Sequence, residues 1–266
     1  MEICSLASGS SGNCSYVGNR DTNLLVDTGI SCKRIENGLK SIDIDPEKLD
    51  GILITHEHTD HINSLGTISR RYKIPIYATK ETFDAILAKK KYSNLSDGQL
   101  ISIEADKEFS INDIVIEAFS ISHDAVNPVC YTFKSDGKKI GMATDLGEFT
   151  DYTISKLESS DILFLEANHD ENMLMVGKYP YFLKQRISGK EGHLSNDNSA
   201  SLISKLFHDR LKYISLIHLS NENNFVDLAY ETVRLELSKH TDNNSIKSML
   251  SVAERDNHSE VLSVNI

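Results

Sequence analysis

The chain has 266 residues and an acidic balance, with 28 lysines and arginines against 39 aspartates and glutamates and a net charge of −11. Hydrophobic residues make up 39% of the sequence and charged residues 25%, which fits a globular core and excludes a collagen-like, coiled-coil or disordered chain. No apolar run approaches the ~18 residues of a membrane span, and no signal peptide is recognisable, so we expect a cytoplasmic protein without membrane attachment. The four widely spaced cysteines are expected to be reduced, buried thiols.

Predicted strands and helices alternate in the first half of the chain. A tight turn, Gly9–Asn13, follows the first of four expected strands, at Glu2–Leu6, Ser15–Val17, Asn23–Asp27 and Gly51–Thr55. Apolar periodicity predicts helices at Ser31–Ile42, Ile62–Tyr72 and Thr79–Lys91. Strands return at Leu100–Ile103, Ile114–Ile121, Val129–Lys134 and Lys139–Thr144.

The second half repeats this order of strands and helices. Helices are expected at Tyr152–Glu158, Asn198–Phe207 (capped by Ser195 or Asp197) and Asp227–Lys239. Buried strands are expected at Ile162–Ala167 and Tyr213–His218, and edge strands at Lys247–Ala253 and Val261–Asn265. Two series of strands, each followed by helices, predict two packed sheets with helices outside. We therefore expect one domain over residues 1–266, an α+β fold built as a four-layer αββα sandwich.

The most informative segment is Thr55–His61, with the sequence T-H-E-H-T-D-H after a buried strand. In an extended chain the side chains of His56 and His58 lie on the same side, so both imidazoles can bind one ion. After the turn, Asp60 and His61 can face a second ion, and two ions ~3.5–4 Å apart are the usual clamp for hydrolysis. If only one histidine were present, the alternative interpretation, an exposed polar loop, would be preferred. The complete pattern favours a metal site.

This motif resembles the metallo-β-lactamase superfamily, and the resemblance extends over most of the chain. Asp27 matches the first acidic motif of that family, which implies that it orients the ligand loop through hydrogen bonds. The remaining ligand positions match residues at the ends of predicted strands, namely His123, Asp145 and His218. The resemblance implies the metallo-β-lactamase fold and two divalent ions, with Zn²⁺, Mn²⁺ and Fe all compatible with such ligands. One ion would take His56, His58, His123 and Asp145, and the other Asp60, His61, Asp145 and His218.

A further histidine resembles a catalytic residue of the nuclease branches. Gly192–Ser195, with the sequence G-H-L-S, precedes the last ligand as the G-H-x-[ST] segment of ribonuclease Z does, which nominates His193. A histidine that merely precedes the helix cap is the alternative. The 73 residues from Asp145 to His218 leave no room for the inserted domain of ribonuclease J. The opening L-A-S-G-S-S-G-N, the E-A-N-H-D segment from Glu166 and the G-H-L-S-N segment are similar to the compact YycJ/WalJ family of bacterial metallohydrolases.

That resemblance implies a dinuclear metal-dependent phosphodiesterase that acts on DNA as a 5′ to 3′ exonuclease. A hydroxide between the two ions, oriented by Asp60, would attack phosphorus, and His193 would stabilise charge or protonate the leaving oxygen. The acidic balance does not exclude a DNA substrate, because bound cations would neutralise the carboxylates of the site. A hydrolase of a small cyclic phosphodiester, lactone or thioester is the alternative enzyme, and a metal-stabilised binding protein is a third class.

Several side chains remain open at this level. Glu166 and His169 either support the site from behind or form a buried pair. Ser10 and Ser11 lie in a glycine-rich loop that either contacts phosphate or is a structural turn. Lys184 and Arg186, with aromatic residues nearby, form the best cluster for a nucleic-acid strand. The Lys89–Lys91 run is expected to be a solvated helix end, and the oligomeric state is not predicted.

Overall fold

Two seven-stranded sheets pack face to face in the computed structural model, which describes residues 1–265. In chain order the strands are β1 (Glu2–Ala7), β2 (Cys14–Gly18), β3 (Asn23–Val26), β4 (Gly51–Leu53), β5 (Ile76–Thr79), β6 (Leu100–Ile103), β7 (Glu108–Ile111), β8 (Ile114–Ser120), β9 (Val129–Ser135), β10 (Lys138–Ala143), β11 (Ile162–Glu166), β12 (Tyr213–Ile217), β13 (Leu250–Val252) and β14 (Leu262–Ser263). The first sheet has the order β14-β1-β2-β3-β4-β5-β6, and the second has the order β13-β12-β11-β10-β9-β8-β7.

The helices connect the strands and cover the outer faces of the sheets. They are α1 (Cys32–Ser41), α2 (Thr59–Ile62), α3 (Leu65–Tyr72), α4 (Lys80–Leu87), α5 (Asp151–Leu157), α6 (Glu171–Val176), α7 (Tyr181–Ile187), α8 (Asn196–Leu206), α9 (Val226–Leu237) and α10 (Asn243–Met249). None of the helices in the described part of the chain has both the length and the apolar composition needed to cross a membrane.

Alternation along the strands sorts the apolar side chains into three cores. In β3, Leu24 and Val26 join the core between the sheets, whereas Leu25 joins the core beneath the helices of the first sheet. In β11, Phe164 faces the same central core, and Leu165 packs beneath the helices of the second sheet. Three cores separate four layers, which confirms the predicted α+β four-layer sandwich. All four cysteines are free and buried, as expected.

Helix α8 shows how local sequence sets an element boundary. The Ser195 hydroxyl accepts a hydrogen bond from the Asn198 amide at 3.2 Å, which confirms Ser195 as the cap, and the helix begins two residues earlier than predicted. Leu202, Ile203 and Leu206 of this helix then fill the core of the second sheet. The cap therefore fixes where the helix begins, directly after the segment that contains the predicted catalytic histidine.

Further predicted elements differ from the structure, and the expected helix Ile62–Tyr72 begins only at Leu65, after the short helix α2. The expected strand Lys247–Ala253 is wrong in its first part, because the Asp242 carboxylate caps α10 and only β13 is extended. The expected helix Thr79–Lys91 is shorter, since β5 ends at Thr79 and α4 ends at Leu87. The lysines beyond it are not simply solvated: Lys89 donates to the carbonyl of Glu57 at 2.6 Å and Lys91 to that of Asn63 at 2.6 Å. Both ammonium groups thus bind backbone carbonyls within or just after the predicted metal loop, which is the segment Thr55–His61.

Three loops meet at Gly29, between β3 and α1. The Gly29 amide donates to the Asn13 carbonyl, the Asn13 amide donates to the Asp60 carbonyl, and the Thr28 amide donates to the His61 carbonyl. A Cβ atom added to Gly29 would stand 1.5 Å from the Asp60 carbonyl oxygen and 2.6 Å from the Asn13 nitrogen. Only glycine allows this approach, and it joins the glycine-rich loop to the predicted metal loop.

Replacing Gly29 by alanine is therefore expected to destabilise the fold by at least the ~1–3 kcal/mol of an overpacked core, because backbone atoms must move. Equilibrium unfolding in urea measures this change. Gly98→Ala is the matched control, since the nearest atom to its added Cβ is 3.9 Å away. Equal midpoints for the two variants would contradict the packing argument.

Candidate metal centre

The predicted site residues meet where strands of both sheets end. Asp27 directly follows β3, Asp145 lies two residues beyond β10, and His218 directly follows β12. All three adopt left-handed backbone conformations, with φ values of 62°, 54° and 58°. Non-glycine residues adopt this region at some cost, and such strain is concentrated at functional sites. Sharp turns at strand ends thus bring side chains from distant parts of the sequence together.

Asp27 and Thr55 support the metal loop from beneath. The Asp27 carboxylate accepts hydrogen bonds from the Thr55 amide and the Thr55 hydroxyl, both at 2.9 Å. Its Oδ2 also lies 2.7 Å from Nδ1 of His61. Nδ1 is thus engaged by Asp27, and Nε2 is directed at the site. This is the usual arrangement for a metal-binding histidine.

His56 provides the test of whether a cation fits. Its Nδ1 lies 2.9 Å from the Thr55 hydroxyl, whose own hydrogen goes to Asp27, so Nδ1 is the donor and Nε2 is unprotonated. Nε2 is buried and has no hydrogen-bond partner among the described residues. Burial and the neighbouring His61 lower the pKa of His56 well below its ordinary value. A buried, neutral imidazole with a free lone pair is a ligand for a metal ion.

Asp145 lies at the centre of the cluster and is completely buried. Its Oδ2 is 3.2 Å from Nε2 of His61, and its Oδ1 is 3.2 Å from Nδ1 of His218 and 3.8 Å from Nε2 of His123. Burial would lower the pKa of His218, but Asp145 and Glu166 outweigh it and raise that pKa to about 10. The same carboxylate raises the pKa of His61 well above its ordinary value. A divalent cation bound by these imidazoles would replace the protons that the raised pKa values favour.

The potential donor atoms form three overlapping groups. Within each group they lie no more than 4.8 Å apart, and the groups are His56, His58 and His123; His56, His61 and Asp145; and Asp145, Glu166, His193 and His218. Asp60 is outside these groups, although its Oδ2 lies 3.5 Å from Nε2 of His61. Six of the seven predicted ligands thus belong to these groups, and Asp60 lies beside one of them, His61. Imidazole and carboxylate donors of this kind form a divalent-metal site.

Glu166 and His193 approach this centre more closely than the sequence alone indicated. Glu166 Oε1 lies 2.7 Å from Nδ1 of His193 and 3.3 Å from Nδ1 of His218, while Oε2 accepts from the Leu146 amide at 2.8 Å. Burial would raise the pKa of Glu166, but His193 and His218 outweigh it and lower that pKa to about 2. The His193 ring is 5.3 Å from that of His123 and 5.2 Å from that of His218. His193 is thus a member of the site as well as a residue before the helix cap.

His169, the other residue expected behind the site, is buried but lies outside the three donor groups. Burial lowers its pKa to about 4, so the imidazole is neutral. Its Nδ1 has no hydrogen-bond partner within residues 1–265. Its carbonyl accepts from the Asn196 amide at 2.9 Å, which joins the segment after β11 to the start of α8.

Sequence reasoning missed four polar residues that contact the ligands. Thr144 Oγ1 lies 3.1 Å from Nδ1 of His218, as Thr55 does for His56, and both threonines directly precede a ligand at a strand end. That position was the available signal. Asn13 Nδ2 lies 3.1 Å from Nε2 of His61, and no local pattern indicated this contact. Asp124, adjacent to His123, places Oδ1 3.5 Å from Nε2 of that histidine.

The predicted substrate-binding residues differ in their positions. Ser10 and Ser11 are exposed at the tip of the loop between β1 and β2, whose base contacts the metal loop through Asn13. The Lys184 ammonium donates to the Met175 carbonyl at 2.6 Å, inside the segment 171–190, which we call the helical hairpin. Arg186, two residues further along the same helix, forms an ion pair with Asp124 at the rim of the site.

Comparison with known proteins identifies the family. A model described as a beta-lactamase superfamily domain matches residues 22–218. Exodeoxyribonuclease WalJ of Streptococcus pneumoniae is 42% identical over 234 residues, which cover 88% of this chain and 87% of WalJ. Exodeoxyribonuclease YycJ of Bacillus anthracis is 37% identical over 228 residues, 86% of each chain.

The fold has solved counterparts as well. The crystal structure of Zn²⁺-bound PqqB from Methylobacterium extorquens superposes with a TM-score of 0.73 at 13% identity, over 99% of this chain and 100% of PqqB. At that identity the likeness concerns the fold alone. Together with the family model and the two exodeoxyribonucleases, it confirms the resemblance found in the sequence: the chain belongs to the beta-lactamase superfamily, in the group that includes WalJ and YycJ.

Proposed function

We propose that this protein is a metal-dependent exodeoxyribonuclease that hydrolyses phosphodiester bonds of DNA from the 5′ end. The proposed cofactors are two divalent ions, Zn²⁺ or Mn²⁺. One would be held by His56, His58, His123 and Asp145, and the other by Asp60, His61, Asp145 and His218. The named activity of WalJ and YycJ, at 42% and 37% identity over most of the chain, supports the substrate class.

The observation that carries the proposal is the contact between His193 and Glu166, both members of the donor group that also contains Asp145 and His218. Glu166 engages Nδ1 of His193 at 2.7 Å, which fixes the imidazole and leaves Nε2 for a substrate atom. Simple metal storage requires no such histidine, whereas cleavage of a phosphodiester requires a proton for the departing oxygen. The geometry therefore supports turnover over binding alone.

Each protein group has a distinct task in the proposed reaction. Bound divalent cations would supply Lewis acidity, which stabilises negative charge on the phosphoryl oxygens. Asp27 and Thr55 hold the imidazoles of the metal loop in place, so no reorganisation is needed during the reaction. Asp60 would orient the attacking water. His193, held by Glu166, donates a proton or a hydrogen bond to the 3′ oxygen that leaves.

A small-molecule hydrolase is the second candidate. The surroundings of the site favour a DNA strand as the substrate. An open groove beside the centre is lined by Asp124, Gln185, Arg186, Gly189, Lys190 and Glu191. The cations of this groove, Arg186 and Lys190, are balanced by Asp124 and Glu191, so the open shape of the groove favours a strand, because a small ester is normally enclosed.

The test compares 5′-labelled and 3′-labelled single-stranded and duplex DNA, with Mn²⁺ or Zn²⁺ added to enzyme previously treated with a chelator. We expect mononucleotides to be released first from the 5′ label, and no cleavage without metal. Release first from the 3′ label would contradict the polarity. Intact DNA together with hydrolysis of a cyclic phosphodiester, lactone or thioester would favour the second candidate.

A further inference from the structure

Exposed aromatic side chains stand on the helix that leads into the metal centre. Tyr181 and Phe182 begin α7 and are 69% and 72% exposed. On the adjacent α6, Met175 and Val176 are 62% and 85% exposed. Four large apolar side chains exposed on two consecutive helices indicate a binding surface, because soluble proteins rarely expose large apolar patches. No other part of the proposed mechanism uses these side chains.

The helical hairpin ends at the metal centre. The His193 amide donates to the Ile187 carbonyl at 2.9 Å, so the last turn of α7 is joined directly to the proposed catalytic histidine. Arg186 pairs with Asp124, whose Oδ1 lies 3.9 Å from Nε2 of His58. Phe182 precedes Arg186 by four residues, which is about one turn and ~6 Å along the helix axis, so the two side chains share one face. The aromatic surface is therefore one turn away from a cation at the rim of the site.

The charge of the hairpin differs in sign from that of the whole chain. Residues 171–190 contain one acidic residue, Glu171, and four basic residues, Lys178, Lys184, Arg186 and Lys190. The segment therefore has a net charge of +3, while the chain has −11. Aromatic faces bordered by cations are the composition of surfaces that bind single-stranded nucleic acid. In a symmetric dimer built on this surface, two hairpins of the same positive charge would face each other and repel.

We propose that unpaired bases of the DNA strand stack on Tyr181 and Phe182 while Arg186 binds the backbone. Gln185 Nε2 donates to the Tyr181 hydroxyl at 3.0 Å, which restricts the tyrosine ring before the substrate arrives. Stacking needs bases that are not paired, so the enzyme binds its substrate as a single strand next to the scissile bond. This inference rests on the proposed function and adds the structural state of the substrate to it.

The test asks whether affinity depends on the bases themselves. Binding of two 3′-labelled 20-nucleotide strands with non-hydrolysable phosphorothioate linkages is measured by fluorescence anisotropy, one of them oligo-dT and the other fully abasic. Each stacked base contributes about 5- to 100-fold in affinity. We therefore expect the wild type to prefer oligo-dT by about tenfold or more. The double variant Tyr181→Ala, Phe182→Ala should lose that preference and bind both strands alike.

Two further variants separate stacking from other effects. Leu235→Ala removes an exposed apolar side chain of α9 (58% exposed) and should keep the full preference for bases. Arg186→Gln should weaken binding of both strands equally and reduce the salt slope of binding by ~0.7, as for one lost phosphate contact on a single strand. Circular dichroism melting verifies that each variant is folded.

The outcomes distinguish this inference from the proposed function. A double variant that still prefers oligo-dT overturns stacking, even if the wild type degrades DNA. A wild type that binds oligo-dT with base preference but never cleaves DNA contradicts the nuclease and leaves the stacking surface standing. If the double variant changes only the sedimentation of a dimer and not DNA affinity, the surface joins two copies of the chain and the inference is wrong.

Discussion

Replacing Asp145 by alanine is expected to abolish DNA hydrolysis and to remove at least one bound metal ion. This carboxylate reaches His61 and His218 at 3.2 Å on its two oxygens and is 3.8 Å from His123. It therefore contacts donors from both proposed ligand sets. Partners of metal ligands typically contribute ~10–100-fold to affinity or activity, and a shared ligand should exceed that. Elemental analysis of the purified variant and DNA degradation with added Mn²⁺ measure the two effects.

A matched substitution shows whether the loss is specific. Asp161 is also a buried aspartate, 3% exposed, and its carboxylate accepts from the Lys139 amide at 2.9 Å. Asp161→Ala should lower the free energy of unfolding while keeping the metal content of the wild type, because no member of the donor groups contacts it. Two ions per chain and near-normal activity in the Asp145→Ala variant would show that the bridging assignment is wrong.

Part of the predicted ligand set rests on a pattern that is local in the chain. The segment Thr55–His61 places four donors within seven residues after a strand, and its alternation indicates their direction. His123, Asp145 and His218 were predicted from the resemblance to the metallo-β-lactamase superfamily, and each also follows a strand, where the carboxyl ends of buried strands converge. The overall architecture was predictable from local patterns as well, because runs of buried β-branched residues mark strands clearly.

What the sequence could not indicate depends on contacts between distant segments. The link between Glu166 and His193 spans 27 residues, and neither residue carries a local signal for the other. Likewise Asn13 reaches His61 only because the loops are joined at Gly29. Helix α7 was missed because it has no buried residue and hence no apolar periodicity. The proposed stacking surface lies on that helix, so the same lack of burial that hid the helix leaves its aromatic rings available to a ligand.

Replacing His193 by alanine is expected to keep both metal ions and the fold while lowering turnover by ~10²–10⁴-fold, the usual contribution of general acid–base and electrostatic groups. The loss should fall on kcat more than on KM, because the charge that His193 stabilises develops only in the transition state. His240→Ala is the control, since His240 lies 2.6 Å from the Ser204 hydroxyl on the exterior and outside the donor groups.

The leaving group decides between the two roles that the geometry allows His193. Its Nδ1 lies 3.6 Å from Oδ1 of Asp145, close enough for His193 to be a metal ligand. A proton donor matters less when the departing oxygen is already acidic, so a nitrophenyl phosphodiester should show a much smaller defect in His193→Ala than DNA does. If His193 is a metal ligand, its loss should instead lower the hydrolysis of both substrates equally. Metal analysis of the variant would then find less metal than in the wild type.

Because Glu166 holds Nδ1 at 2.7 Å, Glu166→Gln should reproduce part of the DNA defect with the same dependence on the leaving group. Equal defects on good and poor leaving groups in His193→Ala would remove the acid role.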